Sequence, residues 1–437
     1  MEAYKLGISK ASELIHCGSL TPSQLLEALL KRIELLEPHL KAWVTVDEEG
    51  ARLQAERLTD EAENGRFRGA LHGIPIGVKD IYYTSGVRTT MGSPLYGDFV
   101  PEVDAASVRL LKEAGAIIIG KTETTEFAQA DPAPTRNPWN LNHTPGGSSS
   151  GSAAAVSSGM CQAALGSQTG GSVIRPASFC GVVGVKPTYG LISKRGVYPL
   201  AWSLDHVGFF TRSVEDAAVL LSALAGEEHG RPRELNGPPR IGVIRGYFHE
   251  LAHEEVWRGH EQALEVLRDA GAEVLDVPLP DVFEVVPSAH RVIMASEAAS
   301  VHEERFRTDP HGYRRNIRAM IAAGLMVPAS TYLRALRIRG RFIEAMSAAM
   351  EGFDCLVTPS TTTPALRGLE STGNPAFNAP WSYGGFPTIT VPTGLTQDGL
   401  PLGIQIVDLP LNESHMLGVA GWCEGVLNFP KEPHEPI

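Results

Sequence analysis

Two Gly-Gly-Ser steps lie 24 positions apart in this chain, ending at Ser148 and Ser172. The segment between them is small, apolar and alanine-rich, and it reads as a helix-like run joining two turns packed side by side. Glycines at such turns let backbone N–H groups approach a ligand closely. That arrangement suits a serine nucleophile with an oxyanion hole better than it suits a metal or a nucleotide. Lys79 ends a short apolar run, Gly73 to Asp80, with Asp80 beside it. A lone lysine there would pair with Asp80 or be solvated. Here the chain also offers two glycine-framed serines and no histidine placed for base catalysis. A buried lysine can be held neutral by desolvation and serve as a base. It would take a proton from one serine while that serine takes one from the nucleophile.

Other motif matches carry less. Gly115 to Thr122 fits the phosphate-loop expression GxxxxGK[ST]. Its four middle residues are themselves strand-like, so no flexible turn remains to cradle phosphate. Gly147-Ser148-Ser149-Ser150-Gly151 fits GxSxG, but a loop containing Pro145 precedes it where a nucleophile elbow needs a strand. Asp205 and His206 are adjacent, which makes poor triad geometry. His249 and His253 lack a third ligand, so a capping or surface role is expected and no metal is implied.

The elements that must hold these residues alternate. Thr21-Pro22-Ser23-Gln24 starts a helix with a capping box, and residues 50–64 continue as a second helix. Strands are expected at 73–80, 116–119, 240–244, 273–277, 355–357, 388–391 and 402–406, with helices at 107–114, 254–270 and 413–427. Residues 288–350 read as helix-rich and arginine-rich. The pattern predicts an α/β fold with a mixed, mostly covered sheet.

Bulk properties narrow the function. The 437 residues are 43% hydrophobic with a net charge of −12, which fits an acidic globular enzyme and argues against nucleic acid as partner. Five widely spaced cysteines without CxxC point to reduced thiols and a cytoplasmic setting. No apolar run reaches membrane-spanning length, and the first residues lack a signal-peptide core.

Taken together, Leu71 to Asp80, Gly115 to Thr122, the Gly/Ser block 146–190, Gly385 to Pro392 and Gly399 to Gln405 resemble the amidase signature family over most of the chain. The resemblance implies one α/β body, residues 1–437, with a mixed sheet of many strands covered by helices on both faces. Residues 226–350 would be a variable, helix-rich, substrate-shaping region within it. It implies Lys79 as catalytic base, Ser148 as relay after a cis peptide bond, and Ser172 as nucleophile. The backbone N–H groups of Thr169, Gly170, Gly171 and Ser172 would form the oxyanion hole, and no cofactor is needed. Two departures stand out. Gln168 replaces an acidic residue, and Arg175 lies three positions after the nucleophile rather than two. The arginine placement resembles malonamidase-type members, in which it grips a substrate carboxylate; the alternative is that Arg175 braces the loop. Gln168 and Arg175 are therefore the expected substrate contacts, and Phe127, Trp381 and Tyr383 are candidates for the apolar wall. The expected activity is hydrolysis of a small-molecule amide. Carbamate or ester hydrolysis by the same triad, or a glutaminase-type role within an amidotransferase, are the alternatives. A homodimer is compatible with all three.

Overall fold

Short runs of β-branched and small apolar residues form eleven strands of one mixed sheet in the computed structural model, which describes residues 2–429. They are β1 (Trp43–Val46), β2 (Pro75–Lys79), β3 (Ile117–Thr122), β4 (Ala163–Gln168), β5 (Val183–Lys186), β6 (His206–Thr211), β7 (Arg240–Val243), β8 (Glu273–Asp276), β9 (Cys355–Pro359), β10 (Thr388–Leu395) and β11 (Pro401–Val407). The sheet order is β1-β3-β2-β4-β6-β5-β10-β11-β9-β7-β8.

Helices lie on both faces, and β3 shows why. Side chains alternate along a strand, so Ile117 and Ile119 enter one core while Ile118 enters another. The first core is closed by helices Pro22–Leu40, Glu48–Glu63 and Ser150–Ser157, and the second by Val214–Ala225 and Glu413–Leu427. The Thr21 side chain and the Gln24 amide cap each other's backbone as expected. A third, aromatic core holds Phe248, Phe283, Phe342, Trp381 and Phe386.

Three neighbouring strands set the position of the site. β2 runs parallel to both β3 and β4. Their carboxyl ends therefore emerge together, and these ends carry Thr122, Lys79 and Gln168. Carboxyl ends of parallel strands are where α/β folds place their ligands.

The Gly/Ser block folds differently from its reading as one helix-like run. Between the two Gly-Gly-Ser steps only Ser150–Ser157 is helical; the chain then turns at Gly159, with φ of 71°, and returns as β4. All eight residues of this helix and all six of β4 are buried. Neither has a polar face, so neither shows a periodicity that would separate helix from strand. Residues 226–350 give β7 and β8 to the sheet as well as helices Val286–Thr308, Arg315–Leu325 and Ala329–Ala349. Among the described residues no single helix is long and apolar enough to cross a membrane; one pair, bent by 103°, passes that test by length and composition.

Candidate functional site

Lys79 is fully buried at the end of β2. Its Nζ lies 2.7 Å from Ser148 Oγ and 2.8 Å from Ser167 Oγ. Asp80 does not pair with it. Alternation turns Asp80 to the other side, where its carboxylate lies 3.5 Å from Lys121 Nζ and accepts from the Thr90 amide and hydroxyl. With no carboxylate bonded to it, Lys79 feels mainly its burial. Burial pulls the ammonium well below its ordinary 10.5, opposed only by the Asp205 charge acting through space. A neutral amine can donate to Ser167 and accept the Ser148 proton. Ser167 was not singled out from sequence.

The first glycine turn holds Ser148 against this amine. The Gly147–Ser148 peptide is cis. Ser150 Oγ donates to Gly146 O at 2.7 Å, and Ser148 O accepts from the Thr125 amide at 3.2 Å. Gly146 has φ of 81°, and a Cβ there would sit 2.9 Å from Pro176 Cα. Glycine is therefore required by conformation and by contact.

The second turn, Thr169 to Ser172, follows β4. Its carbonyls are tied back into the protein. Thr169 O accepts from His290 Nε2 at 2.9 Å, and Gly170 O accepts from Ser382 Oγ at 2.8 Å. Thr169 Oγ1 donates to Asp205 at 2.6 Å. Among the described residues, the amides of Gly170, Gly171 and Ser172 donate to no protein group. Ser172, 9% exposed, lines the adjoining cavity with Thr169, Gly170 and Gly171. A Cβ on Gly171 would lie 2.5 Å from Asn378 Oδ1, so a larger residue would have to displace the Asn378 side chain.

Gln168, expected to touch substrate, does not reach the cavity. It is fully buried behind the turn, where Oε1 accepts from the Val173 and Ile174 amides at 2.8 and 3.0 Å. Its Nε2 donates to Ser382 Oγ at 3.1 Å. It thus caps the short helix Ile174–Cys180. Arg175 lines the cavity and also acts as a brace. Its Nη2 donates to Gly147 O at 2.7 Å and Thr372 Oγ1 at 3.3 Å, joining the two glycine turns. Its Nε and Nη1 have no partner among the described residues, and burial lowers the guanidinium to about 10.

The cavity measures about 450 Å³. Its wall draws on the segment before Asp131, on helix Val286–Thr308 and on residues 374–380, here Ala128, His290, Met294 and Pro375 among others. Phe127, Trp381 and Tyr383 are not part of it. Phe127 packs among Tyr96, Tyr198 and His302, while Trp381 and Tyr383 are buried in the aromatic core. Among the described residues no cluster of three or more His, Cys, Asp or Glu could hold a metal ion. His253 instead caps helix Glu254–Asp269.

Sheet, buried lysine and paired glycine turns define an amide-cleaving hydrolase of the α/β type. The family model described as Amidase matches residues 24–417, and the chain belongs to that family. It is 34% identical to a glutamyl-tRNA(Gln) amidotransferase subunit of Carboxydothermus hydrogenoformans, covering 99% of each chain. The protein of the same name from Desulforapulum autotrophicum is 35% identical, covering 98% of this chain and 100% of its own. Among solved structures, an amidase superposes with a TM-score of 0.90 at 35% identity, covering 96% and 99% of the two chains. The native peptide amidase of Stenotrophomonas maltophilia gives a TM-score of 0.85 at 29% identity over 99% of each chain.

Proposed function

We propose that this hydrolase works through an acyl-enzyme on Ser172, with Ser148 and Lys79 as proton relay and base. The contact between a carboxylate-free, buried Lys79 and Ser148 Oγ at 2.7 Å carries the reading. Ser172 Oγ attacks the amide carbon and gives its proton to Ser148, whose own proton passes to Lys79. The amides of the Thr169–Ser172 turn receive the tetrahedral oxyanion. Collapse breaks the C–N bond, and the proton returns through Ser148 to the leaving amine. Water, deprotonated along the same route, then frees the acid and Ser172.

The cavity volume suits a small substrate. Arg175 and Arg291 are on its wall and, among the described residues, no Asp or Glu is, which favours an amide carrying a carboxylate or another anionic or polar group. The test is hydrolysis by the purified chain of short aliphatic amides, dicarboxylic monoamides, anilides and carbamates. Ser172→Ala and Lys79→Ala should each remove activity; near-parental turnover by either overturns the mechanism. The relatives named as amidotransferase subunits support a second reading, in which the same chemistry serves a multi-subunit enzyme. Robust turnover by the chain alone speaks for the first reading. Turnover that appears only with added subunits speaks for the second.

A further inference from the structure

The turn that carries the nucleophile is held at its carbonyls by His290 and Ser382, which take no part in the proton relay. Peptide groups are planar, and in a trans peptide the N–H points opposite to the carbonyl. Among the described residues only Gly147–Ser148 is cis. Fixing Thr169 O therefore fixes the direction of the Gly170 N–H, and fixing Gly170 O fixes that of the Gly171 N–H. We infer that His290 and Ser382 are positioning residues of the oxyanion hole, with Gln168 setting the direction of the Ser382 hydroxyl. This rests on the reading of Ser172 as nucleophile.

The hydrogen-bond chain has one consistent direction. Gln168 Oε1 faces two backbone donors, the Val173 and Ile174 amides, so its Nε2 is the end turned to Ser382. Ser382 Oγ accepts that N–H, and its own proton goes to Gly170 O at 2.8 Å. An acidic residue at 168 could still accept from both amides, but its carboxylate could not donate to Ser382. It would draw the hydroxyl proton to itself and release Gly170 O. His290 acts on the neighbouring peptide from another element, helix Val286–Thr308. Its Nε2 carries the proton, since a carbonyl can only accept. The helix that shapes the cavity is in this way linked to the turn that stabilises the transition state.

An oxyanion exists only in the transition state and intermediates, so a misaimed donor lowers kcat and leaves KM nearly unchanged. Removing one such donor outright costs about a hundredfold to a thousandfold, and misaiming one should cost about tenfold to a hundredfold. His290→Leu and Ser382→Ala should each lower kcat by that factor, with KM within about twofold of the parent. Gln can place an amide N–H near the position of His Nε2 and Asn cannot, so His290→Gln should regain most of the loss and His290→Asn should not. Gln168→Glu should lower kcat like Ser382→Ala, and the double variant should be no worse than Ser382→Ala alone. Thermal melts run alongside identify any variant that has unfolded, and the Gln/Asn pair at 290 still decides if His290→Leu has. Parental kcat in the 290 and 382 variants, a loss confined to KM, or equal rescue by Asn and Gln overturns the inference. Ser172→Ala belongs in the same series. If it stays active, the nucleophile reading fails; if it is dead and the other variants are parental, only the positioning role fails.

Discussion

Replacing Lys79 by methionine separates a neutral buried amine from a buried ammonium. The two side chains are similar in length, so the cavity change is small. What is lost is the base and the partner of two hydroxyls, Ser148 Oγ and Ser167 Oγ. Each orphaned hydroxyl costs roughly 1 kcal/mol at every pH. The informative quantity is the slope with pH. Burial holds the folded lysine well below its ordinary 10.5, whereas the unfolded chain keeps the ordinary value. Between those two values the unfolded state binds one more proton than the folded state. Parental stability therefore rises with pH through that window, by about 1.4 kcal/mol per pH unit relative to the variant. Above 10.5 the difference is constant, and below the folded value it is constant again. Chemical denaturation of both proteins at half-unit steps from pH 7 to 10 measures it, above the range in which Asp205, the carboxylate coupled to Lys79, takes up its proton. The parent's kcat/KM should rise over the acid side of the same range and level off, because only the neutral amine accepts the Ser148 proton. Methionine should lower kcat by about a thousandfold or more. Parallel stability curves with no difference in slope would mean that Lys79 is charged in the folded protein, and its role as base would fall.

Four further outcomes follow from the same contacts. Burial raises the Asp205 carboxyl from 3.8 to about 6. The folded state thus keeps that proton longer than the unfolded chain, and the parent loses about 3 kcal/mol of stability as pH rises from about 4 to about 6; denaturation of Asp205→Asn should show no such loss. Because the Asp205 charge favours the Lys79 ammonium, Asp205→Asn should also move the acid limb of kcat/KM to lower pH. Arg175→Met removes the donor to Gly147 O and should cost about 1.5–3 kcal/mol in urea unfolding, with a larger loss of kcat/KM on dicarboxylic monoamides than on neutral amides; equal losses would leave Arg175 as a brace alone. Gly151→Ala places a Cβ 2.1 Å from Ala42 O and 2.4 Å from the Glu123 amide, both backbone atoms, so a loss of 3 kcal/mol or more (about the upper end for overpacking) should appear as a lowered melting temperature.

What the sequence disclosed follows from which signals are local. The capping box at Thr21, the strand–helix–strand unit 240–277 and the last helix, Glu413–Leu427, are periodic and have clear ends, and all three are in the structure. β4 and helix Ser150–Ser157 were not separable, because both are wholly buried and built of small residues. β5 closes that block and β6 follows it, and neither has a local signal; they pair with each other and with β4 or β10, a dependence no short window contains. Lys79, Ser148 and Arg175 were legible through their glycine framing and their motifs. Ser167, His290 and Ser382 were not, since each matters only through a partner far along the chain. Gln168 was noticed for its unusual identity, but its direction, away from substrate, depends on where helix Ile174–Cys180 begins.

The place of β10 in the sheet has a consequence for synthesis. β10 lies between β5 and β11, and β11 in turn separates it from β9, β7 and β8. A ribosome making this chain has therefore released Lys79, Ser148 and Ser172 long before it makes the strand that joins the two parts of the sheet. Ser382, which holds Gly170 O, is made just before that strand. The nascent protein carries these three residues for more than two hundred residues before the strand that joins the sheet around them is made. Hydrolytic turnover is then a property of the finished chain, and C-terminal truncations that keep all three groups should be inert.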